Sequence, residues 1–368
     1  MKKVLIYQGR PTSGGSKKSL FNLIKLLKSE VSFHIILGSK GWFYDQLTKE
    51  EIEFTLNLEN KVIQKNKSVK SDSLRKLKST FIIFIFGIKN VITNFRYIKK
   101  EKIDYVILNE GRDLFFIGIP ALLCNCQVIS FVRGEPNNYD LPRFLISNKI
   151  ISLSETLVKN LPSIFKKKSE VIPNYINIEK KNISNCINSD VVNISFFGSI
   201  IPIKGLENLV EVASKIKSEN FIINIYGDIP NDDFNWYIEK IRGLIKKNNL
   251  SDKIIFNGWK EDTSPYFKKS DIVILTSKSE GLPRVILEAM AHSKPVVGFD
   301  VGGVKSLIQN NINGYLIDHG DNNKFAEKLT QLTLSSSLRE DLGREGLKIA
   351  QNNFSAEKVK EKLLKVFR

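Results

Sequence analysis

Short apolar runs alternate with amphipathic segments in two stretches of the chain. In the first stretch, residues 3–8 form an apolar run that ends at a glycine-rich turn, residues 9–15. The segment after the turn has apolar residues three or four positions apart, the spacing of a helix: Leu20, Leu23, Ile24 and Leu27. Further apolar runs follow at residues 33–37, 105–108 and 128–132. This order of strand, turn, helix and strand predicts a parallel α/β sheet.

The alternation starts again after residue 190. The predicted elements are, in order, strand 192–199, helix 205–217, strand 221–228, helix 237–250, strand 253–259, strand 271–277, a helix through Leu287–Ala291 and strand 295–300. Two such series predict two Rossmann-like domains rather than one long sheet. The polar, asparagine-rich segment 177–190 shows neither the helical nor the strand periodicity of apolar residues and is the predicted linker. We therefore expect an N-terminal domain over residues 1–178, a C-terminal domain over 191–352 and a final amphipathic helix over 353–368.

The chain is strongly basic. Its 368 residues include 56 Lys and Arg against 39 Asp and Glu, which gives a formal net charge of +17. Hydrophobic residues make up 42% of the chain, so a chain of this length can bury a full core without disulfides or metals. The charge predicts an anionic partner, which is a nucleic acid, a membrane surface or a phosphate-bearing substrate.

Cysteine use and the N-terminus favour a cytoplasmic protein. The three cysteines, Cys124, Cys126 and Cys186, are an odd and sparse set that fits a reducing compartment. With no second pair and no nearby histidine, Cys124 and Cys126 are interpreted as small apolar fillers rather than zinc ligands. Residues 1–10 hold too short an apolar run for a signal peptide, and the run Phe81–Phe86 is far below the ~20 residues that span a bilayer. We expect a chain that is soluble or peripheral to a membrane.

Much of the positive charge lies in residues 61–102, which hold twelve Lys or Arg and two acids, a net charge of +10. The same segment holds the apolar run FIIFIF. One interpretation is a surface that sits on anionic lipid at the inner face of the plasma membrane. The other is a core helix with a solvated basic face. The sequence alone leaves both open.

The most informative stretch is residues 277–303, SKSEGLPRVILEAMAHSKPVVGFDVGG. A strand ends at the loop 277–282, and a helix is predicted to begin near Pro283, because proline is favoured in the first turn of a helix. The N–H groups and dipole of such a helix start form an anion site at the end of the sheet. Glu280 and Glu288, eight positions apart, are unsuited to holding phosphate but accept hydrogen bonds from sugar hydroxyls. The stretch therefore predicts a pocket for a sugar joined to a phosphate.

These residues also carry a resemblance to a known family. The run EGLPRVILEAMAHSKPVVGFDVGG closely resembles the Glu-x7-Glu signature of family-4 retaining glycosyltransferases, which have the GT-B fold. Further segments are similar to other parts of that family: GGSKKSLFNLIKLL, SLSETLVKNL, VIPNYIN, FFGSIIPIKGLENLV, IYGD and IIFNGW. The resemblance covers nearly the whole chain. It implies two Rossmann-like domains facing each other across a cleft, with the last helix packing back on the N-terminal domain.

The resemblance implies a role for each matching residue. Glu280 would contact the hydroxyls of the transferred sugar near the anomeric carbon, and Glu288 would hydrogen-bond the ribose of the nucleotide. Lys204 would neutralise the leaving phosphate. The backbone around the diphosphate would come from two segments, one in each domain: Gly14 and Gly15, and Gly281, Leu282, Pro283, Arg284 and Val285.

Two positions depart from the family pattern. Ser199 stands where the family usually has an arginine after the first glycine of its C-terminal domain, so one of two expected donor-side cations is missing. Arg284, at the start of the anion-binding helix, is hypothesised to supply part of that charge. Arg133 stands where many members carry a histidine in the N-terminal domain, and it is an acceptor-side candidate only.

We therefore expect a hexosyltransferase that moves a sugar from a nucleotide-diphosphate donor to a glycan or lipid-linked acceptor, in the synthesis of cell-surface polysaccharide or lipopolysaccharide. The family implies retention at the anomeric carbon, and we expect substitution on the front face. No metal or other cofactor is expected, because the chain has no Asp-x-Asp and because Lys204 with oriented amides can stabilise the charge of the leaving diphosphate. No nucleic-acid partner is expected.

Two other functions stay open. A basic α/β protein can bind nucleic acid without catalysis, although this chain has no recognised nucleic-acid module. A nucleotide-sugar epimerase or a phosphorylase of the same fold would keep the pocket and change the reaction. The Gly-Gly loop together with Glu-x7-Glu favours a transferase over both.

Overall fold

The computed structural model describes residues 1–9, 14–57, 89–138, 140–178 and 191–368. Several sequence features therefore lie wholly or mostly outside the described residues: the basic segment before residue 89, the run Phe81–Phe86, Cys186, the predicted linker from residue 179 on and part of the turn 9–15.

The chain divides into two compact units. The first contains Met1–Leu153, Val158–Ile172 and Lys360–Arg368, and the second contains Ser154–Leu157 and Pro173–Val359. Each unit is built around its own parallel sheet. The two sheets confirm the predicted pair of Rossmann-like α/β domains.

In the described residues, the first unit has a sheet of seven parallel strands in the order β3-β2-β1-β4-β5-β6-β7. The strands are β1 (Lys2–Gln8), β2 (Val31–Leu37), β3 (Thr55–Leu56), β4 (Tyr105–Leu108), β5 (Gln127–Val132), β6 (Lys149–Ser152) and β7 (Ser169–Val171). The helices in this part of the chain are α1 (Gly15–Leu27), α2 (Trp42–Lys49), α3 (residues 89–101), α4 (Ile119–Leu123), α5 (Leu141–Ile146), α6 (Glu155–Lys159) and α7 (Ser163–Lys166). A π-helical turn, Leu114–Gly118, runs directly into α4.

The second unit has a sheet of six parallel strands among its described residues, in the order β10-β9-β8-β11-β12-β13. The strands are β8 (Val192–Phe197), β9 (Phe221–Tyr226), β10 (Ile254–Phe256), β11 (Ile272–Leu275), β12 (Val296–Phe299) and β13 (Gly314–Ile317). The helices are α8 (Leu206–Ala213), α9 (Asn235–Lys247), α10 (Ser264–Lys269), α11 (Arg284–Ala291), α12 (Asn322–Leu334) and α13 (Ser336–Phe354). The last helix, α14 (Ala356–Val366), begins in the second unit, and its residues from Lys360 on belong to the first unit. A 3₁₀ turn, Pro202–Lys204, precedes α8.

Strands β4 and β11 are apolar along their whole length because the sheet buries them on both faces. Every residue of β4 and of β11 is buried, as the continuous runs YVIL and IVIL require. Cys124 and Cys126 pack against a buried cluster of the first unit that includes Leu108 and Ile117. Burial raises the pKa of the Cys126 thiol to about 11, which fits its interpretation as an apolar filler. Within the described part of the chain, no helix is both long and apolar enough to cross a bilayer.

In each sheet the order of the strands reverses between two neighbours, β1 and β4 in the first unit and β8 and β11 in the second. Parallel α/β sheets bind ligands beyond the carboxyl ends of the strands at such a reversal. The residues predicted from the sequence follow these strands: Gly14 and Gly15 come after β1, Lys204 after β8, and Glu280 after β11. The topology therefore places the candidate chemistry at the two reversal points.

Candidate active site

The segment after β8 is shaped by a glycine. Gly205 follows the turn Pro202–Lys204 and has φ +63°, the left-handed region that favours glycine. A Cβ on Gly205 would also lie 2.2 Å from the carbonyl oxygen of Thr276. The turn carrying Lys204 is thus pressed against the residue that directly follows β11.

Two hydrogen bonds fix this contact. The Thr276 hydroxyl donates to the carbonyl oxygen of Lys204 over 3.1 Å, and the Lys278 N–H donates to the carbonyl oxygen of Ile203 over 2.8 Å. The backbone of the lysine turn is therefore held by the loop that carries Glu280.

The side chains of Lys204 and Glu280 meet at this point. Lys204 Nζ lies 2.6 Å from Glu280 Oε1, and the hydroxyl of Ser277 donates to the same Oε1 over 2.7 Å. Ser277 is fully buried, and the Glu280 side chain is mostly buried. In the described part of the chain, Glu280 Oε2 accepts no hydrogen bond. The carboxylate is thus fixed through one oxygen while the other can accept from a ligand.

A glycine pair after β12 supports the loop of Glu280 from behind. The Gly303 N–H donates to the carbonyl oxygen of Glu280 over 3.2 Å. A Cβ on Gly302 would lie 1.8 Å from that same oxygen, and a Cβ on Gly303 would lie 1.8 Å from the carbonyl oxygen of Gly281. The sequence VGG therefore lets two backbone segments touch, and the position of Glu280 depends on it.

Helix α11 begins one residue after Pro283, close to the predicted start. The first N–H groups of a helix have no partner within it, so they and the helix dipole favour a bound anion. Leu282 and Pro283 are buried, and Ile286, Leu287, Ala289 and Met290 bury the inner face of the helix. Arg284 and Glu288 lie one turn apart on its outer face, with Arg284 Nη2 3.7 Å from Glu288 Oε1. Val285, also in this first turn, is partly exposed.

A buried tyrosine fixes the start of α8 beside the lysine turn. The Tyr237 hydroxyl donates to Glu207 Oε2 over 2.6 Å and accepts from the Leu206 N–H over 3.1 Å. Burial and this bond to Glu207 raise the pKa of Tyr237. Burial alone would raise the pKa of Glu207, but hydrogen bonds from Tyr237 and Lys240 keep it below its ordinary value. This network ties α8 to α9 and leaves the backbone of Lys204 little freedom.

Ser199 is exposed in the loop that follows β8, in the same segment as Lys204. Its carbonyl oxygen accepts from the Ile201 N–H over 3.1 Å. Of the predicted residues in the second unit, the structure joins Lys204 to Glu280 and Arg284 to Glu288. The hydroxyls of Thr276 and Ser277 belong to this arrangement, and neither was predicted from the sequence.

Gly14 and Gly15 lie at the start of α1 in the first unit. Gly14 has φ 168°, an extended conformation that any residue adopts, and a Cβ on either glycine would meet no atom of the described residues within 4 Å. Neither packing nor backbone geometry in the described residues explains the two glycines. An approaching ligand would explain them, because a Cβ would stand between it and the backbone.

Arg133 follows β5 and takes part in a polar network at the carboxyl ends of β4 and β5. Its Nε donates to Asn109 Oδ1 over 2.6 Å, and its Nη1 donates to the Ser19 hydroxyl. Its guanidinium also stacks on the ring of Phe131, with 4.4 Å from Cζ to the ring centroid. Asn109 in turn donates to the Ser16 hydroxyl over 3.0 Å. The network links the first turns of α1 to two strand ends, and only its arginine was predicted from the sequence.

The loop after β4 is shaped by a buried acid. Asp113 Oδ2 accepts the N–H groups of Asn109 and Glu110 over 2.8 and 2.7 Å. Burial raises the pKa of Asp113 to about 7, although these hydrogen bonds and the charge of Arg143 oppose the shift. Asp113 therefore holds Asn109 in place.

The chain is similar to known glycosyltransferases. Residues 177–349 match the family model described as glycosyl transferases group 1. An uncharacterized glycosyltransferase of Methanocaldococcus jannaschii is 31% identical over 224 residues, which cover 60% of this chain and 59% of that relative. The UDP-Gal:alpha-D-GlcNAc-diphosphoundecaprenol alpha-1,3-galactosyltransferase of Escherichia coli is 25% identical over 289 residues, 68% of this chain and 72% of that relative.

A crystal structure of Anabaena HepE in complex with UDP and glucose has a TM-score of 0.80 and 18% identity, covering 100% of this chain and 99% of that one. This match confirms the GT-B fold class. The matched residues 177–349 contain Lys204, Glu280 and Glu288, so the group 1 glycosyltransferase similarity falls on the described site of the second unit. The chain spans 59% of the archaeal relative's length.

Proposed function

We propose that this chain, whose residues 177–349 match the group 1 glycosyl transferases, moves a hexose from a nucleotide-diphosphate donor to a glycan or lipid-linked acceptor. The proposal includes membership of the family-4 retaining enzymes, defined by Glu280 and Glu288, and a reaction that needs no metal. The observation that carries it is the contact of Lys204 with Glu280 at the reversal point of the second sheet. A cation for a phosphate and an acceptor for sugar hydroxyls then stand side by side.

The donor would lie with its diphosphate at the start of α11 and its hexose against Glu280. Lys204 is paired with Glu280, so an arriving phosphate would share or take over the ammonium group. The carboxylate would keep the Ser277 hydroxyl and use both oxygens to accept from the sugar. Glu288 would accept from the ribose, and Arg284 would add charge at the diphosphate in place of the arginine that Ser199 replaces.

The reaction would proceed on one face of the sugar. The bond between the anomeric carbon and the diphosphate oxygen breaks, and a bond to the acceptor oxygen forms on the same side. The acceptor's proton passes to the departing phosphate oxygen, so the anomeric configuration is retained. Lys204 and the amides at the start of α11 stabilise the negative charge that develops on the diphosphate. This role is the one that a divalent ion fills in other transferases.

Two facts support the donor and acceptor classes. A protein of the same fold, HepE, was crystallised with UDP and glucose, which makes a uridine diphosphate sugar the first donor to test. The Escherichia coli relative is named for a diphosphoundecaprenol acceptor, and the net charge of +17 suits an anionic lipid-linked substrate of this kind. The sparse cysteines favour a cytoplasmic site of action.

Donor binding tests the proposal first. A nucleotide diphosphate or its sugar at 100 times its Kd should stabilise the full chain by ~2.7 kcal/mol, seen as a rise of the unfolding temperature. Glu280→Gln should then lower the rate of sugar transfer by about 10² to 10³. Glu261→Gln, an exposed acid of the same unit, is the matched control and should leave the rate unchanged. Product with retained configuration in the presence of EDTA tests retention and metal independence together.

Gly15 offers a separate test in the first unit. Because a Cβ there meets no atom of the described residues within 4 Å, Gly15→Ala should fold normally and weaken donor binding at least about tenfold if the diphosphate approaches this backbone. Gly243→Ala, at a helical glycine of α9 with equally open surroundings, should bind the donor normally.

Stabilisation by DNA and by none of the nucleotides would refute the proposal in favour of nucleic-acid binding.

A further inference from the structure

One helical run of the first unit has no polar side chain. Residues 114–123, LFFIGIPALL, form the π-helical turn and α4. The inner side of the run is buried in the unit through Ile117, Gly118, Pro120 and Ala121. A helix that packs on a core normally turns charged or polar residues to water on its other side. Residues 114–123 have no such residue to turn to water.

Large apolar residues cover the outer side. Phe115, Leu122 and Leu123 are 61%, 52% and 60% exposed, and Ile119 is partly exposed. The spacing of 115, 119, 122 and 123 places all four on one face of the run. Single exposed apolar residues are ordinary, but several on one face mark a surface that meets an apolar partner.

Helix α3 lies beside this face and adds positive charge. Asn94 donates to the carbonyl oxygen of Phe116 over 2.7 Å, and Cys124 Sγ lies 3.8 Å from the carbonyl oxygen of Phe95. The exposed side of α3 carries Arg96, Lys99 and Lys100 together with the exposed Ile92. Among the described residues, no carboxylate pairs with these three cations. The acid nearest in sequence to the run, Asp113, is buried and held by backbone N–H groups.

We propose that this apolar–basic face, made of Phe115, Ile119, Leu122 and Leu123 with Arg96, Lys99 and Lys100, binds the headgroup region of an anionic bilayer. The ten residues 114–123 are about 15 Å long at 1.5 Å per residue, and the apolar core of a bilayer is about 30 Å thick. The run therefore lies along the interface. Its apolar side chains enter the acyl boundary, and the cations of α3 meet lipid phosphates.

Charge decides between a bilayer and the other partners of an apolar face. A second copy of the chain docked on the same face by two-fold symmetry would bring its own cations against these three, which opposes association. A nucleic acid would satisfy the cations and leave the leucines without a partner. An anionic lipid surface satisfies both. The inference concerns binding and not transfer, so it stands apart from the proposed function.

Vesicle binding of the full chain, without nucleotide sugar or acceptor, tests the proposal. Vesicles of phosphatidylcholine mixed with phosphatidylglycerol should co-sediment the chain, and vesicles of phosphatidylcholine alone should bind it at least about tenfold less. Leu122→Ser combined with Leu123→Ser should weaken binding to the mixed vesicles at least about tenfold. The matched control combines Ile312→Ser with Leu334→Ser, which removes apolar residues 47% and 72% exposed in the second unit, and should bind like the parent chain.

A charge reversal gives a second arm that does not depend on the leucines. Lys99→Glu with Lys100→Glu should weaken binding to mixed vesicles at least about tenfold. Lys246→Glu with Lys247→Glu, an exposed lysine pair in the last turn of α9, is the control and should have a smaller effect. Equal binding to both vesicle types overturns the proposal. The proposal is also overturned if the face variants and their controls bind the mixed vesicles equally well. A lower molecular mass in solution for the Leu122→Ser, Leu123→Ser variant than for the parent chain would likewise overturn it, because the face would then join copies of the chain. The thermal shift with nucleotides should be the same in all four variants, so failure of the membrane proposal leaves the transferase proposal intact.

Discussion

At the scale of single residues, the site depends on hydroxyl groups that belong to neither member of the ion pair. Thr276 and Ser277 are consecutive, yet one bonds the backbone of Lys204 and the other bonds the carboxylate of Glu280. The end of β11 therefore aligns both partners at once. The role of Thr276 had no signal in the sequence, because Thr276 and Lys204 are 72 positions apart and meet only when β8 and β11 become neighbours.

The Ser277 hydroxyl is expected to position Glu280 for catalysis. Ser277→Ala removes one of two donors to Oε1, and a hydrogen bond to a charged group contributes about 1.5 to 3 kcal/mol. We predict that kcat/KM for the sugar donor falls at least about tenfold. Ser279→Ala, two residues along the same loop, is the control. If the effect passes through the carboxylate, Ser277→Ala should cost much less in a Glu280→Gln background. Additive losses would contradict this role.

Asp113 is predicted to make stability depend on pH. Its pKa is raised by burial from 3.8 to about 7, so between these values the folded chain holds a proton that the unfolded chain has released. Its contribution to stability is greatest below pH 3.8 and is lost as the pH rises toward 7. Asp113→Asn stays neutral throughout. Relative to the parent chain, the free energy of unfolding of the variant should rise by about 1 to 3 kcal/mol from about pH 5 to about pH 8.

Urea denaturation at several pH values measures this difference, with Asp252→Asn at an exposed acid as the control. If the difference in free energy of unfolding between Asp113→Asn and the parent chain stayed constant from about pH 5 to about pH 8, Asp113 would be ionised in the folded state across that range.

At the scale of elements, the loop after β12 determines where the loop after β11 can lie. Gly302 has φ +51°, and a Cβ there would meet the carbonyl oxygen of Glu280. Gly258 has φ +69°, and a Cβ there would meet no described atom within 4 Å. Alanine at Gly258 would therefore add backbone strain alone, whereas alanine at Gly302 would add both strain and a steric contact. Gly258→Ala should cost about 1 to 2 kcal/mol of stability. Gly302→Ala should cost at least ~1 kcal/mol more, because the contact adds to the strain.

Gly302→Ala should also reduce transfer activity by moving Glu280, which Gly258→Ala should leave in place. Thermal unfolding together with initial rates checks both effects. Equal losses in the two variants would show that the contact between the two loops is not what fixes the carboxylate.

The sequence predicted the buried central strands and left several other elements unassigned, among them the long helices α12 and α13. The runs IVIL of β11 and YVIL of β4 are apolar throughout because both faces are covered. Strand β7 has one apolar residue in three, and α7 has four residues, too few to show a period. The predicted helix 205–217 ends earlier, at Ala213, where Ser214 donates back to the carbonyl oxygen of Glu211. Glu280 lies in the Glu-x7-Glu run and Lys204 lies in a segment that resembles the family, so both were predicted as site residues, whereas nothing in the sequence singled out Asn109 or Ser16.

At the scale of the whole molecule, the positive charge is expected to act on the acceptor rather than on the donor. A net charge of +17 together with the cations on the exposed side of α3 should concentrate the enzyme at an anionic membrane that holds a lipid-linked acceptor. Salt screens that attraction, since the Debye length falls from about 10 Å at ~0.1 M to about 3 Å at ~1 M. The Lys204–Glu280 pair is largely shielded from solvent and should be screened less.

We therefore predict that added salt raises the KM for a lipid-linked acceptor in anionic vesicles at least about fivefold, while the KM for the same glycan on a short soluble aglycone changes less than about twofold. The measurement is the initial rate at a fixed, saturating donor concentration. Lys99→Glu with Lys100→Glu should have a high KM for the vesicle acceptor at every salt concentration and an unchanged KM for the soluble one. If salt raised both KM values alike, the charge would be acting at the active site, and the separation between membrane binding and sugar transfer would be wrong.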